Sequence, residues 1–340
     1  MKIAIIGSGI SGMTAAYLLN RKHEITVFEA ADYIGGHTHT VDVELEGERY
    51  SVDTGFIVCN DRTYPNFLKL MDQLKVERVP TEMGFGIRSD RTGIEYCTTS
   101  YNQIFAQRSN LVSLRYWGML KEIMRFNRSL TSGLEDGSLS AEISLGDYLK
   151  DQKHTQFFIE HFIVPMGSAI WSIGVKQMME FPLLAFARFF HNHGLLTVND
   201  HPQWYYIKNG SHYYVKQLTE GFRDRIKLST PVSLVARHEK GVTLVAAGKS
   251  YEFDKVIFAT HSDTALKILE DPTPEEREIL SAMRYQQNDI VLHTDTSILP
   301  QNKRAWAAWN YHLQDDSEAV ATLTYNMSLL QQIPSPETLC

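Results

Sequence analysis

The chain has 340 residues, enough for about two domains, with a formal net charge of −7. That balance argues against a nucleic-acid binder, which needs a basic face to neutralise phosphates. Hydrophobic residues make up 43% and charged residues 21%, which excludes a disordered chain and supplies enough aromatic side chains for a large core. Cys59, Cys97 and Cys340 form no CxxC pair and no disulfide framework, so a reducing cytoplasm is the expected setting.

The first element is the β-branched run Lys2–Ile6. The turn Gly7-Ser8-Gly9-Ile10-Ser11-Gly12 follows at once, then the helix formers of Met13–Asn20, then the alternating strand Glu24–Phe28 ending at Glu29. This order predicts a βαβ unit built to hold a dinucleotide. Gly7 permits the tight turn, Gly9 lets backbone approach a pyrophosphate, and Gly12 lets the helix pack on the strand. Ile10 and Ser11 open the helix, whose free N–H groups and positive dipole end face the phosphates. Glu29, followed by Ala30, stands where a carboxylate accepts hydrogen bonds from ribose hydroxyls and repels a 2′-phosphate. The cofactor is therefore FAD or NAD.

Next come Gly35-Gly36-His37-Thr38-His39-Thr40 and the turn Val52-Asp53-Thr54-Gly55-Phe56-Ile57. The glycine pair lets a second backbone segment pass close to the dinucleotide. At this point the chain resembles the flavin-containing amine oxidase superfamily, which includes phytoene desaturases and protoporphyrinogen oxidases. The shared pattern is GxGxxG, an acid, a glycine pair and D-x-G. One position departs: the superfamily's usual Arg after the glycine pair is His37 here. The runs GFIVCNDRTYPNFLKLMDQL, AIWSIGVKQMMEFP, FFHNHGLLTVNDHPQW, NGSHYYVKQL and WAAWNY resemble a bacterial subgroup of FAD-dependent, amine-oxidase-like oxidoreductases associated with cyclopropane-fatty-acid synthase.

The resemblance implies FAD as cofactor and a lipid-related substrate. By motif order, His39 and Thr40 belong near the flavin, Thr38 beside them is a further cofactor-binding candidate, and Gly55, Phe56 and Ile57 let the flavin ring pack closely. The resemblance also places the Val232 backbone against the adenine and the Ala259-Thr260 turn near the dinucleotide. Around these, Arg225–Leu228 and Val232–Val235 read as short strands. Gly241–Ala246 and Ser250–Phe253 read as a hairpin turning at Gly248, and Lys255–Thr260 as a buried strand.

The expected fold is α/β: an FAD-binding, Rossmann-like domain with an α+β cap. The cofactor domain is discontinuous, 1–70 and 205–275, and the substrate or cap domain spans 75–204 and 276–340. Within the cap, Met119–Phe126 and Leu145–Leu149 read as helix and Leu134–Ser140 as loop. No late glycine-rich closing segment precedes Cys340, which predicts a C-terminally truncated chain.

In such enzymes the flavin accepts the hydride, so acid–base side chains are not required. The first reading is an FAD-dependent oxidoreductase dehydrogenating an apolar, lipid-like substrate. The rivals are a flavin amine oxidase acting on a small amine and a truncated fragment that binds FAD poorly. Trp306, Trp309, Asn310 and Tyr311 form an aromatic cluster with a polar handle; amine oxidases often cage an amine between aromatic rings, but nothing places this cluster on those cage positions. Lys303 beside them reads as solvated surface. Trp171 reads as core, with Ser172 beside it as a cavity-lining candidate. If the substrate is a lipid, Phe162–Val175 or Phe181–Phe190 is the expected peripheral membrane contact. His191, His193 and His201 would share a strand face but lack companion ligands, so no metal site is expected. No nucleophile-elbow motif is present, which disfavours a hydrolase.

Overall fold

The structure is a computed structural model describing residues 1–171, 173–197, 200–314 and 322–340. Its organising feature is a parallel sheet with strand order Ile226–Lys227, Glu24–Phe28, Lys2–Ile6, Lys255–Phe258. Ile3, Ile5, Ile25 and Val27 lie inside, which is why these strands are β-branched rather than alternating. The helix Ile10–Leu19 returns over one face, burying Gly12, Met13 and Ala16 against the sheet and the helix His212–Thr219.

The other face is covered by an antiparallel sheet of Val232–His238, Gly241–Ala246 and Lys249–Phe253. Val235, Leu244 and Ala246 bury against Ala4, Ile6 and Phe28. The expected hairpin turns at Ala247-Gly248, both with positive φ (47° and 74°), the geometry that matches strand twist in a two-residue loop.

A second body carries the sheet Thr322–Tyr325, Trp309–Leu313, Phe85–Ser89, Glu95–Cys97. Helices Leu114–Glu135, Leu145–Asp151, Val164–Trp171 and Leu183–Asn192 pack around Tyr116, Phe126, Phe158, Phe186 and Phe190. The two expected helix pieces lie inside the first two of these. The expected loop starts later than Leu134, because the first helix runs on to Glu135 before Asp136 and Gly137 (φ 72°) end it. The helix Pro274–Ala282 stays against Ser262–Ile268, which packs beside the strand Val232–His238, whereas Trp309–Leu313 pairs in parallel with Phe85–Ser89.

The described parts of the runs Phe162–Val175 and Phe181–Phe190 pack largely inward: Ile163, Val164, Phe186 and Phe190 are buried in the cap core, while Val175 is 52% exposed. His191 and His193 do not share a strand face. His191 lies on a helix and His193 caps it, stacked on Phe189 at 3.9 Å with Nδ1 2.8 Å from the Phe189 carbonyl. Among the described residues no His, Cys, Asp and Glu cluster could hold a metal, and no helix is long and apolar enough to cross a membrane.

Candidate dinucleotide and flavin site

The glycine turn joins the strand Lys2–Ile6 to the helix Ile10–Leu19 at the carboxyl end of the parallel sheet. Gly7 has φ +103° and its amide donates to the Phe28 carbonyl at 2.8 Å. A Cβ at Gly7 would lie 2.5 Å from the Ala259 carbonyl oxygen, so the Ala259-Thr260 turn closes directly on it. A Cβ at Gly12 would lie 1.9 Å from the Gly7 carbonyl oxygen. Gly9 is different: a Cβ there would meet nothing within 4 Å. Gly9 is also the helix N-cap, with no side-chain cap and no acid in the first turn. Free amides around Ile10, Ser11 and Gly12 thus face open space, an anion-binding arrangement.

Gly36 crosses above this space; its own Cβ would come 3.0 Å from Gly9 Cα. Glu29 closes one end. Its carboxylate accepts from the Ser8 amide (2.8 Å), the Ser8 hydroxyl (2.5 Å) and the Ala31 amide (2.9 Å). These donors fix the carboxylate while leaving acceptor capacity for ribose hydroxyls. Beside it, the Ser229 and Thr230 amides donate to the Ala31 and Glu29 carbonyls, each at 2.8 Å. Val232 follows two residues after Thr230, with its side chain against the Phe28–Val235 cluster.

His37, exposed, stacks on His261 (5.6 Å, 19°), which stacks on Tyr285 (4.0 Å, 5°). Thr38 is buried and shares a hydrogen bond with the Tyr214 hydroxyl, whose pKa burial pushes up to about 12. His39 Nδ1 lies 2.7 Å from Thr54 Oγ1. The loop 37–39 is pinned to the next turn: the Phe56 amide donates to the His37 carbonyl (2.7 Å) and the Thr54 amide to the His39 carbonyl (2.9 Å). A Cβ at Gly55 would lie 2.0 Å from the His37 oxygen, so no larger residue fits. Phe56 packs edge-on to Phe67 and Tyr214, and Ile57 joins a separate cluster with Val52 and Leu330. Both side chains are half-buried packing residues.

The junction of these segments is Asp53, 1% exposed. Its carboxylate accepts from Thr40 Oγ1 (2.5 Å), the Ser211 amide (2.8 Å) and hydroxyl (3.0 Å), and Gln331 Nε2 (2.8 Å). Burial pushes its carboxyl above the usual carboxylate range, and the donors from Thr40 and Ser211 oppose the shift. Sequence reasoning noted Asp53 in the D-x-G turn without giving it a role. Ser8, Ser211, His261 and Gln331 were missed. Ser8 lies inside the glycine turn and Ser211 ends Asn209-Gly210-Ser211, whereas nothing local marks Gln331.

The aromatic candidates do not form one cage. Trp306 Nε1 donates to the Pro300 carbonyl (2.7 Å), and Trp309 meets Tyr325 edge-on (83°, 5.4 Å). Asn310 is buried and braces the Ala307 amide and carbonyl, and Tyr311 is buried. Lys303 Nζ lies 5.4 Å over the Trp306 ring. Trp171 packs against Phe181 and Phe189 in the core, and Ser172 lies outside the described residues.

The family model for flavin containing amine oxidoreductases matches residues 10–331. The chain belongs to that family. It is a family of FAD-dependent oxidoreductases, so the choice between FAD and NAD falls to FAD. The chain is 22% identical over 284 residues to an L-amino acid dehydrogenase of Synechocystis sp., covering 79% of this chain and 57% of that protein. It is 33% identical over 96 residues to a 1-hydroxycarotenoid 3,4-desaturase of Flavobacterium sp., covering 28% and 18%. A putrescine oxidase bound to putrescine superposes with TM-score 0.69 at 16% identity, covering 100% of this chain and 74% of that one. The chain thus spans little more than half the length of the first of these relatives, and the solved structure supports the fold.

Proposed function

We propose that this chain holds FAD extended across the carboxyl end of its parallel sheet. Glu29, Ala30 and the Val232 backbone take the adenosine. Gly7, Gly9, Ile10, Ser11, Gly12, Gly35, Gly36, His37, Ala259 and Thr260 surround the pyrophosphate. Thr38, His39, Thr40, Gly55, Phe56 and Ile57 lead to the flavin. The observation that carries this reading is the open space at Gly9 in front of an uncapped helix N-terminus, in a turn whose other glycines are closely packed. Segments 1–70 and 205–275 form the cofactor domain in this reading, and 75–204 with 276–340 the substrate domain.

Bound FAD supplies the hydride acceptor. The chain's residues hold it, exclude water and orient a substrate. The substrate we propose is apolar, of lipid or fatty acyl type, and the likeness to a carotenoid desaturase supports it. A small amine is the second reading, supported by the likeness to an L-amino acid dehydrogenase. The test is to add FAD, pass the protein through gel filtration, and record its visible spectrum before and after anaerobic substrate addition. Retained flavin bands bleached by unsaturated or methylated fatty acyl chains are expected. Bleaching by amines alone would move the assignment to the second reading, and loss of the bands on filtration would favour the reading of a chain that binds FAD poorly.

A further inference from the structure

With most of the runs Phe162–Val175 and Phe181–Phe190 packed in the cap core, a different stretch of the cap leaves large apolar side chains in solvent. Val112 is 85% and Leu114 89% exposed, and Tyr101, Leu111 and Trp117 are exposed beside them. This is not a loose loop. The Trp117 ring lies 5.1 Å from Phe105 and its Nε1 donates to the Leu111 carbonyl at 2.9 Å. Tyr116, the next residue inward, is buried and donates to the Ile104 carbonyl at 2.6 Å. Tyr101–Ile104, the turn Arg108–Val112 and the start of the helix Leu114–Glu135 are thereby locked together with their apolar side chains outward.

Along that helix the outward stripe continues with Lys121, Met124, Arg125 and Arg128, at spacings of three and four from Leu114 and Trp117. Its charge is mainly basic: residues 98–136 carry Arg108, Arg115, Lys121, Arg125 and Arg128 against Glu122 and, exposed at the helix's C-terminal end, Glu135 and Asp136, in a chain of net charge −7. Glu122 is already engaged by Thr155, His154 and Arg125. Among the described residues Lys121 and Arg128 make no ion pair. Arg115, Lys121 and Arg125 also line a cleft of about 600 Å³ whose wall includes Met119 and Phe157, and Arg115 lies 4.0 Å over the Phe157 ring.

We infer that this face seats the protein peripherally on a bilayer containing anionic phospholipid. Val112, Leu114 and Trp117 enter the boundary between headgroups and acyl chains, while Lys121, Arg125 and Arg128 lie at the phosphates. Charge complementarity selects this occupant. An anionic surface attracts the basic strip although it repels the chain as a whole, and the attraction falls off within a Debye length. A symmetric contact with a second copy would instead set the same cations against one another. The inference does not rest on the flavin reading, although such a seat would suit an apolar substrate drawn from a membrane.

The test is flotation with vesicles of phosphatidylcholine alone and of equimolar phosphatidylcholine and phosphatidylglycerol, with and without FAD. The wild type is expected to float with the mixed vesicles at low salt and to be released by high salt. Leu114→Ser with Trp117→Ser should abolish flotation, and Lys121→Gln or Arg128→Gln should each weaken it about fivefold. Ile290→Ser with Val291→Ser, at apolar positions exposed elsewhere, should leave it unchanged. These are surface positions, and far-UV circular dichroism checks that each variant is folded. Failure of the wild type to float, or undiminished flotation of the Leu114/Trp117 variant, would overturn the inference. A dimer in sedimentation that the same variants dissociate would also overturn it, by making the face a protein interface. Flotation is read from protein, so a failed flavin assignment leaves this outcome intact.

Discussion

Gly9 and Gly12 sit three residues apart in one turn, yet the structure separates their roles. Gly12→Ala places a methyl 1.9 Å from the Gly7 carbonyl oxygen, against rigid backbone. The helix Ile10–Leu19 must retreat by roughly 1 Å or more, with overpacking costs of about 1–3 kcal/mol or above. Gly9→Ala meets no atom within 4 Å, and its φ of −68° and ψ of 178° suit any residue. Losing glycine at an N-cap is offset by a less flexible unfolded chain, so apoprotein stability should stay within about 0.5 kcal/mol. In the proposed site the methyl nevertheless occupies the space assigned to the pyrophosphate, and losing one charge-assisted contact of about 1.5–3 kcal/mol weakens binding roughly tenfold to a hundredfold. Urea unfolding without FAD, followed by circular dichroism, reads the first quantity; quenching of flavin fluorescence on titration reads the second. The expected pattern is a stable Gly9→Ala that binds FAD poorly and a destabilised Gly12→Ala. A Gly9→Ala protein that binds FAD like the wild type would refute the assignment of that space. A Gly12→Ala protein with unchanged stability would refute the packing argument.

Asp53→Ala orphans the buried donors from Ser211, Thr40 and Gln331 and should cost at least about 2 kcal/mol in urea unfolding. Because the Asp53 pKa is raised in the fold, its contribution is fully present below its ordinary value near 3.8 and is lost as pH rises through the folded value. Wild-type stability measured against Asp53→Asn should therefore fall as pH rises from about 4. His161 shows the opposite sense. It is buried in a π-helical turn, with Nδ1 3.0 Å from the Phe157 carbonyl and Nε2 2.8 Å from Thr92 Oγ1, and burial depresses its pKa below 6.5. Its contribution is present above 6.5 and lost as pH falls below it, so His161→Gln should flatten the acid limb of a thermal-melting series. All three cysteines are buried, with the Cys59 and Cys340 thiols pushed up to about 11, so an aromatic disulfide reagent should label none before denaturant unfolds the chain.

Local order along the chain determined the cofactor unit. Lys2–Ile6, the glycine turn, the helix and Glu24–Phe28 are consecutive, and each step of a βαβ unit leaves its own mark: β-branched strands, glycines where backbone must approach, an acid at the second strand's end. The hairpin at Gly248 was legible for the same reason, since a two-residue turn needs positive φ where the sequence offers Ala-Gly. The cap was legible only in part. Runs such as Phe181–Phe190 look alike whether they meet lipid or other aromatic rings, and packing around Phe126 and Phe158 alone decides that they are interior. The histidines at 191 and 193 needed the helix assignment, because a strand and a helix place them on different faces. Asp53 announced itself by its turn, but its partners Ser211 and Gln331 come from remote parts of the chain. A buried carboxylate can be satisfied by any donors the tertiary fold brings to it, and no local pattern encodes which those will be.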